Sequence, residues 1–252
     1  MYHTLEVDLI WYEQNLKSVL PIGLALICFI TYWFTANSKW VETMFHRKFN
    51  FDEASYKHIL FNKVFGFLVL GIIPLIISLM FIDDISCQQY GLNFIPETAM
   101  FSVLWTILLS IVILPLIYFQ SKKPNNMVEY PQIRSRVWNS KIYFINLFGW
   151  AIYLLGYEML FRGVLLFPLV DALGVWPAIA INTAIYSATH IAKGHKETIV
   201  DIPLGVILCL LTLYSGTIWI AFFVHVFAAW TSSLTALKYH PEIRFISKKI
   251  KD

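Results

Sequence analysis

The stretch Phe61–Ile82, FNKVFGFLVLGIIPLIISLMFI, decides the fold. Apart from Lys63 it carries no charge, and an apolar run of about 18 or more residues is long enough to cross a bilayer as a helix. Comparable runs recur at Ser18–Ala36, Ala99–Phe119, Ile142–Val170, Val175–Ile191, Ile202–Ser215 and Thr217–Leu237. The sixth in chain order, Ile202–Ser215, is short for a span. The fourth, Ile142–Val170, is long and is interrupted by Gly156, Glu158 and Arg162. Composition agrees with lipid as the solvent. Hydrophobic residues make up 58% of the 252 and charged residues 14%, with a mean hydropathy of +0.64. That charged share is about half the usual value for a soluble domain. The reading is an all-α, polytopic transmembrane helix bundle of about seven spans, without internal repeats.

Charge placement suggests how the bundle sits. Lys and Arg in short loops mark the cytosolic side. The loop after the first run holds Lys39, Arg47, Lys48 and Lys57, and the third holds Lys122, Lys123, Arg134, Arg136 and Lys141. Lys193 and Lys196 follow the fifth run, Arg244, Lys248, Lys249 and Lys251 close the chain, and the second loop is acidic at Asp83, Asp84 and Glu97. Seven spans with the N-terminus outside and the C-terminus cytosolic put every basic loop inside. Met1–Lys17 carries Glu6, Asp8 and Glu13 and lacks the basic start of a signal peptide, so no cleavage is expected. The net charge of +3 gives no reason to expect a nucleic-acid partner. The chain divides into N-terminal helices (1–140), a motif-bearing core (141–240) and a basic tail (241–252). Cys28 and Cys209 lie in apolar runs, and neither they nor Cys87 show redox or metal-ligand spacing.

Ionisable groups within a span are costly and point by default to function. Glu158 and Arg162 are four apart, so they share a helix face and can pair. Tyr186 and His190 are also four apart, with Asn182 one turn earlier. His225 sits amid Phe222, Phe223, Val224, Val226 and Phe227, with Ser232 two turns on. Each has a structural reading: an ion pair that locks helices, a helix-end histidine bonded to a carbonyl, a histidine that hydrogen-bonds across helices. Glu197 and Asp201 read as solvated charges of the loop before the sixth span. Taken together, a carboxylate, an arginine and two histidines on three spans are the components for activating water and stabilising an oxyanion in a dry cavity.

The run Tyr157-Glu158-Met159-Leu160-Phe161-Arg162-Gly163, then Tyr186-x-x-x-His190, then His225-x-x-x-Ala229, resembles the three motifs of the CPBP intramembrane proteases. That family includes the CAAX prenyl endopeptidases and the bacteriocin-processing or immunity (Abi) proteins. Its motifs are Glu-Glu-x-x-x-Arg, Phe-x-x-x-His and His-x-x-x-Asn. Pro203-Leu204-Gly205 and Ser215-Gly216-Thr217-Ile218-Trp219 resemble its approach to the third motif. The similarity runs from about Gly156 to Ser233. It implies an endopeptidase in which Glu158 and His190 activate water, Arg162 orients Glu158, and His225 stabilises the oxyanion, with Tyr157, Tyr186, Asn182, Glu197 and Ser232 in support. The sequence departs from the family at Tyr157, where a Glu is usual, and at Ala229, where an Asn is usual. Tyr is a poor base near neutral pH. Glu158 is then expected to serve as the base with His190, and Ser232 or Thr231 to replace the Asn. A catalytically inactive member, acting in bacteriocin immunity or as a scaffold, is the alternative.

The spans as drawn place Glu158 deep and His190 near the cytosolic end. The two meet only if the fourth span breaks near Gly156 or the fifth continues past His190. No cofactor is expected, because His190, His195 and His225 form no spaced ligand set; a metal held by His190, His225 and Glu158 stays open. His-Glu-x-x-His and Gly-x-Gly-Asp are absent, and Ser215-Gly216 is a faint echo of a rhomboid nucleophile. The expected partners are the lipid bilayer and a peptide or membrane-protein substrate, and the expected location is the plasma membrane of a bacterium.

Overall fold

The computed structural model describes residues 9–82, 86–191 and 194–246, with the backbone alone at 195–197. Asp83, Asp84, Lys193 and the tail lysines fall outside the described residues, as do the side chains of Lys196 and Glu197. The described chain is almost entirely helical: α1 (Leu16–Ala36), α2 (Lys39–Lys48), α3 (Phe51–Gly66), α4 (Ile73–Phe81), α5 (Pro96–Ser121), α6 (Pro124–Met127), α7 (Ser140–Glu158), α8 (Leu166–Leu173), α9 (Val175–Ala188), α10 (His195–Ser215) and α11 (Trp219–Tyr239). Two short strands, β1 (Val137–Trp138) and β2 (Arg244–Phe245), pair in parallel.

Capping side chains set several starts. Asn50 Oδ1 accepts from the Glu53 amide (2.9 Å) and Asn139 Oδ1 from the Ile142 amide (3.1 Å), satisfying amides that a helix start leaves open. A π-helical turn, Phe67–Ile72, joins α3 to α4, and a second, Met159–Leu165, joins α7 to α8. A proline follows each, Pro74 and Pro168. Proline has no amide hydrogen and its ring clashes with the carbonyl four residues back. Those carbonyls belong to Leu70 and Val164, both inside the widened turns.

Six helical segments are long and apolar enough to cross a membrane: Glu13–Ala36, Phe51–Phe81, Pro96–Ser121, Ser140–Leu173, Thr198–Ser215 and Trp219–Tyr239. The expected fifth span is the exception. Its helix α9 has 14 residues, about 21 Å at 1.5 Å per residue, less than the roughly 30 Å hydrocarbon core. Contacts at the ends of the long helices mark two faces. On one face, Lys17 Nζ meets Asp171 Oδ2 (2.7 Å), Thr98 Oγ1 donates to the Ser215 carbonyl (2.7 Å) and Trp219 Nε1 to the Asn93 carbonyl (2.7 Å). On the other, the Arg134 amide donates to Ser55 Oγ (2.6 Å), Lys141 Nζ to Tyr56 (3.3 Å), and the Tyr118 and Tyr239 hydroxyls lie 3.4 Å apart. Glu13 and Tyr239 therefore lie at opposite faces of the bundle.

The second span starts earlier than its hydropathy suggests, at Phe51, because Lys57, Asn62 and Lys63 dilute the apolar signal. Lys63 is buried with its ammonium 3.0 Å from the centre of the Trp150 ring, a cation–π seat that makes a lysine tolerable in the interior.

The first π turn meets the last turn of α7 through glycines. A Cβ on Gly156 would lie 2.7 Å from the Phe67 Cα, and one on Gly71 would lie 2.8 Å from the Gly156 Cα. Small residues permit this backbone approach, which is how helices associate in lipid. Gly156→Ala should destabilise the fold by about 1–3 kcal/mol, the range for overpacking. Gly23, with nothing within 4 Å of an added Cβ, supplies the control: Gly23→Ala should stay neutral or gain up to about 1 kcal/mol of helix propensity. Thermal unfolding of both variants in detergent tests the pair, and equal melting temperatures would refute the contact.

Candidate active site

The widened turn after α7 places the site. Glu158 is the last residue of α7, and Arg162 follows in the π turn, with their side chains fully buried and Arg162 Nε 3.6 Å from Glu158 Oε2. The opposing helix α9 supports this turn: Asn182 Nδ2 donates to the Phe161 carbonyl (2.5 Å), and Asn182 Oδ1 accepts from Arg162 Nη1 (2.6 Å). A π turn disturbs the regular carbonyl ladder, and Asn182 serves one of those carbonyls while holding the guanidinium. Cys209 of α10 closes the back, its Sγ 3.3 Å from Asn182 Oδ1 and 3.7 Å from Arg162 Nη1.

His225 of α11 faces this group. Its Nδ1 lies 2.5 Å from Glu158 Oε1 and its Nε2 lies 3.1 Å from the Tyr186 hydroxyl. With the carboxylate accepting at Nδ1, Nε2 accepts from Tyr186. Tyr186, Phe161 and Tyr157 pack edge to face, with the Tyr186 ring 5.7 Å from Phe161 and 6.0 Å from Tyr157. The Arg162 guanidinium carbon sits 4.8 Å from the Tyr186 ring centre.

His190 belongs to the same cluster. Its ring centre is 5.0 Å from that of Tyr186 and 6.4 Å from that of Tyr157. The shortness of α9 explains the encounter: the helix ends at Ala188, at the depth of Glu158, instead of carrying His190 to the far face. The fifth run therefore stops early rather than continuing past His190, and the fourth widens just beyond Gly156. The pairing differs from the expected one. Glu158 bonds His225, while His190 Nδ1 lies 3.3 Å from Asp201 Oδ2.

Exposure divides the cluster in two. The Glu158 and Arg162 side chains are 0% exposed, whereas those of His190, Asp201 and His225 are 14%, 15% and 14% exposed. The imidazoles thus stand between the buried charges and the accessible side.

Sequence reasoning missed Asp201. It is not a loop charge: α10 begins at His195, so Asp201 lies within the helix. The available signal was its place just after a polar stretch and just before an apolar run, where an acidic residue favours a helix start. Ser232 takes a different position from the one expected for it. Its hydroxyl accepts from Ser121 Oγ at 3.2 Å, on the α5 side of α11, and Ala229 packs in an apolar cluster with Trp150, Leu154 and Val226. Tyr157 fills its site as an aromatic, with its hydroxyl 2.9 Å from Thr189 Oγ1. Ser215 closes the α10–α11 turn by donating to the Thr212 and Thr217 carbonyls at 3.3 and 3.1 Å. Glu197 lies outside the described side chains. Among the described residues, no three of His, Cys, Asp and Glu are grouped as a metal site; the histidines stand in two histidine–carboxylate pairs.

A bundle of long apolar helices with polar side chains gathered in one largely buried cluster defines the class: an integral membrane protein. Residues 138–231, less than half of the chain, match the family model described as type II CAAX prenyl endopeptidase Rce1-like. This supports the chain as a member of the CPBP family, divergent at Tyr157 and Ala229. Comparison with curated proteins and with solved structures returned no match.

Proposed function

We propose that the chain is an active membrane-embedded endopeptidase that hydrolyses a peptide bond of a bilayer-associated substrate with water. The observation that carries this reading is the convergence of Glu158, Arg162, Tyr186, His190 and His225, from three helices and two turns, on one partly accessible cluster. An inactive scaffold has no need for two partly accessible imidazoles backed by buried carboxylate and guanidinium.

In this reading His190 takes the proton of the attacking water and later delivers it to the leaving amine. Glu158 acts through His225: the buried carboxylate faces Nδ1 and balances the charge when the ring also carries a proton on Nε2, which is then presented to the developing oxyanion. Arg162 and Asn182 hold Glu158 in place. The Tyr186 hydroxyl, beside Nε2, supplies the second donor that the family draws from the Asn replaced here by Ala229. Two preorganised donors at the point where charge develops are the main source of rate in acyl transfer, each contributing about 10²–10³-fold. Basic residues concentrate on the face that includes Lys39, Arg47, Lys122, Arg134, Lys141 and Arg244, while Lys17 on the opposite face is paired with Asp171. This supports a cytosolic C-terminal face.

The test uses the purified chain in liposomes with internally quenched peptides, one ending in a prenylated Cys-Ala-Ala-X tail and others spanning the bilayer. His225→Ala should lower kcat by about 10²–10³-fold on whichever peptide is cut. Cleavage that survives both His225→Ala and His190→Ala, or no cleavage of any peptide, refutes the catalytic reading in favour of an inactive fold.

A further inference from the structure

The family's missing first carboxylate, at the position filled by Tyr157, leaves the question of what charges the water-activating histidine. Three neighbours surround His190 Nδ1: the Tyr186 carbonyl at 3.1 Å, Thr189 Oγ1 at 3.2 Å and Asp201 Oδ2 at 3.3 Å. The Thr189 hydroxyl donates its own proton to the Tyr186 carbonyl (2.7 Å), so it faces the imidazole as an acceptor. With these three acceptors against it, Nδ1 carries the ring proton and Nε2 carries the lone pair. Of the three, only Asp201 can bear charge. Its side chain is 15% exposed and that of His190 is 14% exposed, so the pair is partly desolvated without being sealed from the accessible side.

We infer that Asp201, on α10, replaces the absent first-motif carboxylate as the positioning residue for His190, so that the water-activating unit of this chain is an Asp201–His190 pair assembled across α10 and the turn that follows α9. The inference rests on the protease reading above and deepens it. Tyr157 is compatible with it: its hydroxyl bonds Thr189 rather than His190, and the ring occupies the space from which a carboxylate would otherwise act. In the step proposed, water transfers a proton to His190 Nε2 as its oxygen bonds the scissile carbonyl carbon, and the carbonyl π electrons move to the oxygen held by His225 and Tyr186. Collapse of the adduct breaks the C–N bond, and His190 Nε2 returns the proton to the amine nitrogen. Water is the only co-reactant. Asp201 keeps its negative charge throughout, balancing the imidazolium formed in the middle of the step.

The test is a cycle of Asp201→Asn, His190→Ala and the double variant, with Asp201→Glu as the conservative control, on the cleaved peptide of the liposome assay. The expected result is a fall in kcat of about 10²-fold for Asp201→Asn, with KM within about twofold. Asp201→Asn in the His190→Ala background should cost nothing more, since the two act as a unit, and Asp201→Glu should restore part of the rate. Unchanged kcat in Asp201→Asn, or an equal loss in the His190→Ala background, overturns the inference while leaving the protease reading intact. If the unmodified chain cuts none of the peptides, the protease reading fails and the catalytic role of Asp201 falls with it. Histidine ¹⁵N spectra of the solubilised chain then show whether the pair itself exists: with Asp201 charged against it, His190 should titrate at higher pH in the unmodified chain than in Asp201→Asn, and identical titration removes the pair as well.

Discussion

Glu158→Gln lowers kcat for peptide cleavage by about 10²–10⁴-fold, the scale of losing a group that sets the protonation of a catalytic imidazole, and leaves KM within about twofold. The side chain is 0% exposed, and its Oε1 lies 2.5 Å from His225 Nδ1, so it reaches the substrate only through the histidine. The amide is nearly isosteric and can still accept from Nδ1 through its oxygen. What it lacks is the negative charge that balances a ring carrying protons on both nitrogens, and with it the support for the Nε2–H that faces the oxyanion. Ground-state binding does not need that proton, which is why the loss falls on kcat. Steady-state kinetics of the purified variant in liposomes decides the matter. A variant with kcat near that of the unmodified chain would show that His225 works without its carboxylate, and the assigned roles would have to be abandoned. A rise in KM alone would make Glu158 part of a binding surface.

The bundle was legible because lipid imposes a simple rule: a run too apolar for water and long enough for a bilayer has to be a spanning helix. That rule found the six long spans and, at Glu158 and Arg162, the charges that violate it. The rule reads composition, however, and composition misleads where polar side chains find seats inside the protein. Lys63 over Trp150 hid the start of the second span. The polar first turns of α10 looked like a loop and hid Asp201. The four-residue spacing of Glu158 and Arg162 foretold their pairing, although the second residue lies in a π turn that no periodicity announces. Which histidine meets which carboxylate was beyond the sequence, because it depends on where α9 stops, and α9 stops short.

That early stop links packing to chemistry. The glycine contact of Gly71 and Gly156 seats the first π turn against the end of α7, and the π turn that follows α7 carries Arg162 toward α9. The end of α9 in turn places Tyr186 between the two imidazoles. Widened turns and a short helix cost backbone regularity. They are found where the polar side chains converge, as π turns commonly are at functional sites.

Arg162→Met should destabilise the fold by about 3–5 kcal/mol, the scale of breaking a buried ion pair by removing one partner. No other cation contacts Glu158 among the described residues, apart from His225 when protonated. The guanidinium also donates to Asn182 Oδ1 at 2.6 Å and packs against the Tyr186 ring, so the substitution leaves the buried carboxylate with His225 as its contact and the Asn182 oxygen with the weak Cys209 thiol donor. A second variant separates charge from packing. In Arg162→Met with Glu158→Leu both charges are gone, and replacing a buried pair by apolar residues of similar volume is often neutral. The double variant should therefore regain most of the lost stability, to within about 1–2 kcal/mol of the unmodified chain, while remaining inactive because His225 has lost its carboxylate. Equilibrium unfolding in mixed micelles reads the first effect and the liposome assay the second. A double variant as unstable as Arg162→Met alone would mean that the shape and hydrogen bonds of Arg162, rather than its charge, hold the π turn against α9. An active double variant would remove Glu158 from the mechanism altogether.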